Sequence, residues 1–383
     1  MVQPKTEAEL SQLIRDAGGP LSIRGGGTRG LAVEGERVET SGLSGVHLYE
    51  PGALTLVAGA GTPVEEIETI LAEKDQRLAF EPMDHRPLLG TDGVPTIGGV
   101  SAANISGPRR IQVGAARDHM LGVRFVSGSG EVVKNGGRVM KNVTGYDLVK
   151  LMSGACGTLG VLTEVSLKLQ AIPEAEATLI LRGQTQGDAI ADLTRAMATP
   201  FDVSGAAWLS DDATGKTSER RIRIEGMAGS VKYRAGKLAD LLGADEIAEG
   251  PESAALWREL RDVTPFAGRD GAVWRISTRP TGAADLCDRL RQAGQDLTTI
   301  ADWSGGLLWL LTPETGDAGA ALIRQEVATI GGHATLIRAN PAIRATIPTF
   351  QPQSAPLERI ARGLRQKFDP RSILNPGLMG PTA

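Results

Sequence analysis

The sequence predicts an α+β protein of two domains, a glycine-rich first domain and a second domain built on a repeated β-α-β-β-α pattern. The chain has 383 residues, of which 41% are apolar, and this is enough for two sizeable cores. Its 49 glycines cluster between residues 18 and 160. Beyond Pro173 the glycines thin out and strands alternate regularly with helices, which marks a domain boundary.

Composition excludes several function classes. The net charge is −4 and the basic residues are scattered, so no nucleic-acid partner is expected. Cys156 and Cys287 form no CxxC pair and the histidines form no ligand-spaced cluster, so no metal site is expected. No signal region opens the chain and no run of about 18 apolar residues occurs, which favours a cytoplasmic protein without a membrane span.

The first domain begins with a helix, a strand and a glycine loop. Thr6 and Glu9 form a capping box, and the helix that they start ends at Gly18. A short strand then leads into Arg24-Gly-Gly-Gly-Thr-Arg-Gly30. This loop matches the GxGxxG pattern of dinucleotide-binding folds, but no helical stripe follows it, so a Rossmann fold is not predicted.

A second helix precedes the stretch that we regard as the centre of the domain. Thr62 and Glu65 are predicted to cap that helix. Irregular backbone then leads to the segment Pro95–Pro108, which packs three glycines and several small residues between two prolines. Such a segment lets the backbone approach a bulky ligand and offer it unshielded N–H groups, so it predicts a cradle for a polyanion.

The rest of the chain follows simple patterns. Residues 121–133 predict a hairpin, a short helix starts at Asp147, and a strand with alternating apolar residues starts at Val161. The second domain resembles half of a ferredoxin-like sheet written twice, and a last amphipathic helix covers residues 355–368. The predicted strands of the second domain are 178–182, 205–209, 221–225, 272–278, 298–302, 306–312 and 333–338, and its helices are 188–198, 231–242, 284–293 and 318–330.

Three segments together resemble the vanillyl-alcohol-oxidase, or PCMH-type, FAD-binding family: Arg24–Thr28, Thr96–Gly99 with Ala103, Asn104 and Gly107, and Gly157–Val161. The tail, with Asp369-Pro and Asn375-Pro-Gly, is similar to the ending of 2-hydroxyacid-oxidising members. The resemblance implies a two-lobed PCMH-type FAD-binding domain over residues 1–172, a ferredoxin-like α+β cap domain over 173–345, and a C-terminal segment, 346–383, that returns to the FAD domain.

The resemblance also implies which residues bind FAD. Backbone amides of the first loop and of the cradle would hold the pyrophosphate, the cradle would border the ribityl chain and the ring, and the residues around Val161 would pair with the adenine edge. Amides can stabilise two phosphate charges without lysines. The implied cofactor-binding residues are Gly25, Gly26, Gly27, Thr28, Thr96, Ile97, Gly98, Gly99, Ala103, Asn104, Gly107, Gly157, Gly160 and Val161.

The mode of attachment follows from the first glycine loop. Some family members attach the flavin through a histidine or cysteine in that loop. Residues 25–28 contain neither type, so FAD is expected to be bound non-covalently.

The chain departs from the catalytic members of this subfamily in one respect. Those members carry a histidine-rich His-x-His-x-Gly-Asp-Gly-Asn stretch in the cap, and this chain has none. It resembles the FAD-binding subunits of bacterial glycolate oxidases. This implies a complex with a larger FAD-binding subunit and an iron–sulfur subunit that oxidises glycolate, and sometimes D-lactate, to the 2-oxo acid. Any membrane association would be peripheral, through the partners, at the inner face of the cytoplasmic membrane.

Two other functions stay open. A self-sufficient FAD-dependent dehydrogenase for a 2-hydroxy acid or alcohol would draw its base and carboxylate clamp from the cap. A non-catalytic FAD-bearing subunit would only complete an assembly. No catalytic residue is assigned, because His119, His333, Arg338 and Arg344 could each bind a carboxylate but fit ordinary structural or solvated roles as well.

Overall fold

The computed structural model describes residues 1–31, 33–138, 145–210 and 217–380. The chain forms two compact units. The first unit comprises Met1–Gly107, Gly114–Ile172 and Pro352–Ala383, and the second comprises Pro108–Val113 and Pro173–Gln351. None of the described helices is long and apolar enough to cross a bilayer.

The strands run through both units. They are β1 (Leu21–Arg24), β2 (Glu36–Glu39), β3 (Val46–Glu50), β4 (Thr55–Gly59), β5 (Gln76–Arg77), β6 (Met120–Val126), β7 (Val132–Gly136), β8 (Val161–Lys168), β9 (Gln170–Ala171), β10 (Ala175–Arg182), β11 (Val203–Ser210), β12 (Ser218–Gly226), β13 (Glu246–Glu249), β14 (Ala272–Ser277), β15 (Thr298–Asp302), β16 (Leu307–Thr312) and β17 (His333–Arg338).

The helices lie between these strands and at the end of the chain. They are α1 (Glu7–Asp16), α2 (Val64–Ala72), α3 (Arg86–Leu89), α4 (Ile97–Ala103), α5 (Arg110–Val113), α6 (Ala116–His119), α7 (Leu148–Met152), α8 (Gln186–Met197), α9 (Ala228–Leu242), α10 (Gly250–Arg261), α11 (Ala283–Gln292), α12 (Ala320–Thr329), α13 (Pro341–Thr346) and α14 (Ala355–Phe368).

The first unit is built on an antiparallel sheet with the strand order β3-β4-β8-β6-β7. Helix α2 packs its apolar face, including Ile67 and Leu71, into the same core as Leu56, Phe125 and Val165. β1 and β2 pair in parallel beside it. The hairpin β6–β7, the short helix α7 and the strand β8 confirm the predictions for those segments.

The two predicted capping boxes have different outcomes. The Thr6 hydroxyl accepts a hydrogen bond from the Glu9 amide at 3.1 Å, so Thr6 caps α1 as predicted. The prediction that Thr62 caps α2 is wrong, because Pro63 occupies the N-cap position. The Thr62 hydroxyl instead donates to the Gly59 carbonyl at 2.7 Å and accepts from the Gly45 amide, which ties the end of β4 to a neighbouring turn.

The second unit contains a sheet with the strand order β13-β10-β12-β11-β15-β16-β14-β17. β10 to β13, with α8 and α9, form a complete βαββαβ unit with the ferredoxin-like order 4-1-3-2, which we call repeat 1. β14 to β17, with α11 and α12, form repeat 2, whose strands follow the same order in the opposite direction across the sheet. The pairing of β11 with β15 connects the two repeats into one sheet. The predicted elements of both repeats are confirmed, and β13, which the sequence analysis missed, completes repeat 1.

The sheet of the second unit has two different faces. Side chains alternate along each strand, so Trp274 and Ile276 enter the core beneath the helices, whereas Arg275 and Ser277 lie on the opposite face. On repeat 1, helix α10 covers that opposite face. Its Trp257 ring lies so close to Gly205 of β11 that a Cβ on Gly205 would be 2.7 Å from the ring. We call the corresponding side of repeat 2 the open face; it carries Arg275, Ser277, Trp309, His333 and Thr335.

Residues 108–113 correct the predicted extent of the first domain, which included them. They form α5 and pack in the second unit, where Ile111 lies against the core of the ferredoxin-like repeats. The Arg109 guanidinium also pairs there with Glu225. The chain therefore leaves the first unit after Gly107 and returns to it at Gly114.

Candidate functional site

Two backbone segments of the first unit touch directly. A Cβ on Gly26 would lie 1.5 Å from the Val94 carbonyl oxygen, and a Cβ on Gly93 would lie 1.8 Å from the Gly26 carbonyl oxygen. Because real side chains never tolerate such distances, only glycine allows this approach. The glycine loop after β1 is thereby held against the segment that leads into α4.

These segments line a cleft in the first unit. Six of the residues that the sequence predicts to bind FAD line it: Gly25, Gly26, Gly27, Thr28, Thr96 and Gly99. The other lining residues are Ser22, Ile23, Arg24, Arg29, Gly30, Leu31, Val33, Met83, His85, Pro95, Val100, Ile105, Cys156, Asn375 and Leu378.

The first glycine loop offers donors for a phosphate. Among the described residues, none accepts a hydrogen bond from the amides of Gly26, Gly27 or Thr28. Gly27 has φ +75°, a conformation in which successive amides can turn toward one concave surface. Arg24 and Arg29 add positive charge to the lining. A diphosphate-bearing group such as FAD therefore fits these residues.

The cradle differs from its prediction. Its centre is the helix α4, capped by the Thr96 hydroxyl, rather than an irregular loop with unshielded amides. The Gly98 amide donates to the Ala60 carbonyl at 2.7 Å and the Gly99 amide donates to the Thr96 hydroxyl at 3.3 Å. The prediction that these amides are free to hold the pyrophosphate is therefore wrong. Gly98 instead lets α4 approach β4, since a Cβ there would lie 2.6 Å from Ala60.

Eight of the predicted FAD-binding residues do not line the cleft: Ile97, Gly98, Ala103, Asn104, Gly107, Gly157, Gly160 and Val161. Several have clear packing roles. The Asn104 side chain accepts a hydrogen bond from the Arg117 amide at 3.0 Å, and the Gly107 amide donates to the Phe80 carbonyl at 2.8 Å. A Cβ on Gly160 would lie 2.6 Å from the Phe125 ring, and Val161 is buried in β8.

Asn375 also lines the cleft. It was not among the predicted FAD-binding residues, although the sequence analysis noted the Asn375-Pro-Gly motif in the C-terminal tail. Its Oδ1 accepts from the Ile23 amide at 2.7 Å, and its Nδ2 donates to the Cys156 carbonyl at 2.9 Å. The fully buried Asp369 accepts hydrogen bonds from the Ile373 and Leu374 amides, and these bonds fix the turn that precedes Asn375. The tail therefore joins β1 to the loop at residue 156.

Replacing Asn375 by alanine is expected to destabilise the first unit by about 2 kcal/mol, because it leaves the half-buried Ile23 amide and the buried Cys156 carbonyl without this partner. FAD affinity should fall as well, since both neighbours line the cleft. Urea denaturation and flavin titration measure the two effects. Gln12→Ala, which removes an exposed side-chain hydrogen bond on α1, is the control and should change neither quantity. Unchanged stability of the Asn375 variant would contradict the assigned bonds.

The second unit has its own polar cluster on the open face. The Arg275 guanidinium lies over Trp303, 5.3 Å from the ring centroid, and 5.9 Å from that of Trp309. Arg110 lies 4.4 Å from the Trp303 centroid. Arg275 donates no hydrogen bond and forms no ion pair within the described part of the chain. Burial, the nearby Arg110 charge and the opposing charge of Asp302 place its pKa at about 10.

One guanidinium of this cluster is available to an anion. Arg275, which donates no hydrogen bond to the described residues, has hydrogen-bonding capacity to spare, and Asp302 is the acid whose charge raises its pKa. His333 lies opposite Ser277 on the same face, and its partial burial together with the charges of Arg275 and Arg110 lowers its pKa. The sequence analysis named His333 but missed Arg275, whose signal is a lone arginine inside the apolar strand β14.

The other arginines that the sequence proposed for a carboxylate are occupied. Arg338 donates to the carbonyls of Phe266, Gly271 and Arg269. Arg344 donates to the Ile337 carbonyl. Both guanidinium groups thus tie backbone segments together. His119, the remaining candidate, is buried beside the Phe80 ring.

Comparison with known proteins agrees with the glycine-lined cleft. Residues 1–136 match the family described as FAD binding domain. The chain is 35% identical to glycolate oxidase subunit GlcE of Escherichia coli K12 over 376 residues, which covers 97% of this chain and 95% of that protein. It is 26% identical to D-2-hydroxyglutarate dehydrogenase of Xanthomonas citri over 86% of this chain and 76% of that protein.

The fold has relatives among solved structures. Alkyldihydroxyacetonephosphate synthase superposes with a TM-score of 0.67 over 98% of this chain and 76% of that one, at 16% identity, which supports the PCMH-type fold and nothing finer. The match to the E. coli protein spans nearly the whole chain. The chain therefore belongs to the family of FAD-dependent oxidoreductases that includes the glycolate oxidase subunit GlcE.

Proposed function

We propose that this chain is the FAD-binding subunit of a glycolate oxidase complex that oxidises glycolate, and also D-lactate, to the corresponding 2-oxo acid. The observation that carries the proposal is the 35% identity to glycolate oxidase subunit GlcE over 97% of the chain. The first unit serves as the FAD domain, and the amides of residues 26–28 would hold the diphosphate. Bound FAD would supply the acceptor for the hydride of the 2-hydroxy acid.

The second unit serves as the cap and supplies a carboxylate subsite. Arg275 and Arg110 would bind the substrate carboxylate on the open face, where cation–π contacts with Trp303, and for Arg275 also with Trp309, orient the guanidinium groups. His333 lies on the same face, and its lowered pKa favours the neutral imidazole, so it is a candidate for accepting the hydroxyl proton. A larger FAD-binding subunit and an iron–sulfur subunit would complete the complex and remove the electrons.

The presence of this subsite also favours a second candidate function. A chain with its own FAD cleft and its own carboxylate subsite could reduce its flavin without partners, as a self-sufficient 2-hydroxyacid dehydrogenase does. A purely structural FAD subunit would have no use for a recessed arginine without a hydrogen-bond partner in the described chain.

One anaerobic experiment separates these functions. The chain is reconstituted with FAD, and the flavin absorbance is followed after glycolate is added, first alone and then with the larger FAD-binding subunit and the iron–sulfur subunit. Bleaching only in the complex supports the subunit role. Bleaching of the chain alone supports the self-sufficient dehydrogenase and overturns the subunit role. A flavin that stays oxidised in both cases, while the complex turns over, leaves only the assembly role.

The non-covalent attachment of FAD stays a prediction and has its own test. Acid or detergent denaturation should release all of the yellow colour into the filtrate, because the loop at residues 25–28 has no attachment residue. Colour that stays with the protein would contradict the prediction and would direct attention to Cys156 and His85, which line the cleft.

The titration of His333 tests the carboxylate subsite. We expect its pKa to lie below 6.5 in the free protein. The probe is oxamate, a monocarboxylate that cannot be oxidised at its carbonyl carbon. When oxamate binds beside His333, the pKa should rise, because a nearby anion favours the imidazolium form. By linkage, oxamate affinity should then rise as the pH falls through the pKa of His333. NMR of the imidazole protons measures this, with His47 of the first unit as the internal control. An unchanged His333 titration at saturating oxamate would contradict the subsite.

A further inference from the structure

The last helix of the first unit, α14, carries an apolar stripe that the unit covers only at one end. Apolar residues recur at helical spacing on one face of the helix: Leu357, Ile360, Ala361, Leu364 and Phe368. At the C-terminal end, Leu364 and Phe368 pack against the core of the first unit. At the N-terminal end, Leu357 and Ile360 keep 56% and 61% of their surface exposed. The stripe therefore continues past the edge of the core.

The first two turns of α14 have little in the described chain to hold them helical. None of the residues of α14 is buried, and the side chain of Ser354, at the N-cap position, makes no capping hydrogen bond. Helical turns are marginal in water by themselves, because most helical stability in proteins comes from packing of the amphipathic face. A surface that covers Leu357 and Ile360 would supply this packing.

The charge of α14 indicates what kind of surface this is. The helix carries four basic residues and one acid, whereas the chain as a whole has a net charge of −4. The acid, Glu358, lies 3.4 Å from Arg362. Within the described part of the chain, no ion pair neutralises Arg359 or Lys367. A complementary surface therefore combines an apolar groove with carboxylates at its rim.

Two other occupants fit this helix less well. A helix that lies in a membrane surface places its whole apolar face in lipid, but Leu364 and Phe368 already face the core of the unit. Only two aliphatic side chains of the stripe are then left for the lipid. A second copy of the chain would place the basic residues of two α14 helices side by side, and like charges repel. An acidic groove on another protein meets neither objection.

We propose that the N-terminal half of α14, with Leu357 and Ile360 as its anchors, docks into an apolar groove rimmed by carboxylates on a partner subunit. Anchors at positions i and i+3 are typical of a helix that binds in a groove. The proposal rests on the subunit role proposed above. No residue of α14 lines the glycine-lined cleft, so docking and FAD binding can be measured independently.

The double variant with Leu357→Gln and Ile360→Gln tests the proposal. Glutamine forms helices at least as well as isoleucine but removes the apolar anchors. We measure the dissociation constant between the FAD-loaded full chain and its proposed partners, the larger FAD-binding subunit and the iron–sulfur subunit, by analytical ultracentrifugation. We expect this constant to rise about 100-fold, as for the loss of central interface anchors. FAD affinity and melting temperature should not change, because both side chains are exposed and lie outside the cleft.

Two single variants complete the design. Leu241→Gln on α9 replaces an equally aliphatic side chain that is 48% exposed on the second unit, and it should leave assembly unchanged. Arg359→Gln should weaken assembly about fivefold at low ionic strength and have no effect in high salt, because salt screens exposed charges. It also tests the docking surface if the double variant does not fold.

The outcomes separate this inference from the function on which it rests. If the double variant and Arg359→Gln bind the partners as tightly as the unchanged chain, the subunit role stands and the inference is wrong. If the unchanged chain binds neither partner, the subunit role itself is wrong and the inference falls with it. The chain alone should remain monomeric and should not sediment with vesicles of phosphatidylglycerol and phosphatidylethanolamine. Dimerisation or vesicle binding that depends on Leu357 and Ile360 would overturn the inference in favour of a second copy or a membrane.

Discussion

Replacing Gly99 by aspartate is expected to weaken FAD binding about 100-fold. Gly99 lines the cleft, and the one heavy atom that a Cβ there would meet is the Thr96 hydroxyl oxygen, at 3.2 Å. The Thr96 hydroxyl must therefore give by a few tenths of an ångström for aspartate and asparagine alike, and what differs between these two side chains is the charge. A carboxylate that lines the same cleft as a diphosphate repels it, and two like charges a few ångströms apart cost about 3 kcal/mol at an effective dielectric constant of 20.

The matched control is Gly99→Asn, which has the same shape without the charge. It should lose far less affinity, and titration of FAD against each apoprotein, followed by flavin fluorescence, measures the difference. Thermal denaturation should show both variants folded alike. If the two variants bind FAD equally well, the diphosphate does not lie near Gly99, and the cleft must hold the cofactor in another orientation.

The second unit was predictable because its patterns are regular. Strands such as β14 and β16 carry apolar residues at every second position toward the helices, and the helices α8 and α11 repeat apolar residues at helical spacing. These periodicities identify the element type without knowledge of any partner. β13 was not predicted, because three of its four residues are exposed and its sequence therefore shows no alternation of buried and exposed residues.

The cradle was mispredicted for a physical reason. α4 contains Gly98 and Gly99, and adjacent glycines argue against a helix because of their low intrinsic propensity. The helix forms because its first amides find partners in distant segments: the Ile97 amide donates to the Thr62 carbonyl and the Gly98 amide to the Ala60 carbonyl. Such partners are not visible in a local sequence window.

For the first glycine loop, in contrast, the residues that the sequence analysis proposed do line the cleft. Its glycines were predicted to bring the backbone close to a ligand, and the structure places Gly25 to Thr28 in the lining of the cleft. Part of the reason for the glycines is nevertheless internal, because Gly26 must accommodate the Val94 carbonyl. A glycine-rich motif therefore indicates close approach, and the structure decides whether the neighbour is a ligand or another segment of the chain.

Arg275→Met is expected to raise the stability of the second unit while it removes anion binding. The guanidinium is recessed, donates no hydrogen bond to the described residues and lies near the Arg110 charge. Burying a charge in this way costs free energy, and a methionine of similar length would fill the space between Trp303 and Trp309 without that cost. We expect a gain of about 1 kcal/mol in unfolding free energy, and an oxamate dissociation constant about 100-fold higher, as for the loss of a charge-assisted hydrogen bond.

The opposite signs of these two effects make the experiment decisive. An arginine kept for packing would destabilise the unit when replaced, whereas one kept for a ligand leaves the protein more stable and unable to bind. Arg275→Lys separates charge from shape: it keeps the positive charge but loses the planar stacking on the indoles, so an intermediate affinity is expected. Urea denaturation and oxamate titration of the three proteins measure both quantities. A methionine variant that is less stable and still binds oxamate would show that Arg275 serves the sheet rather than the substrate.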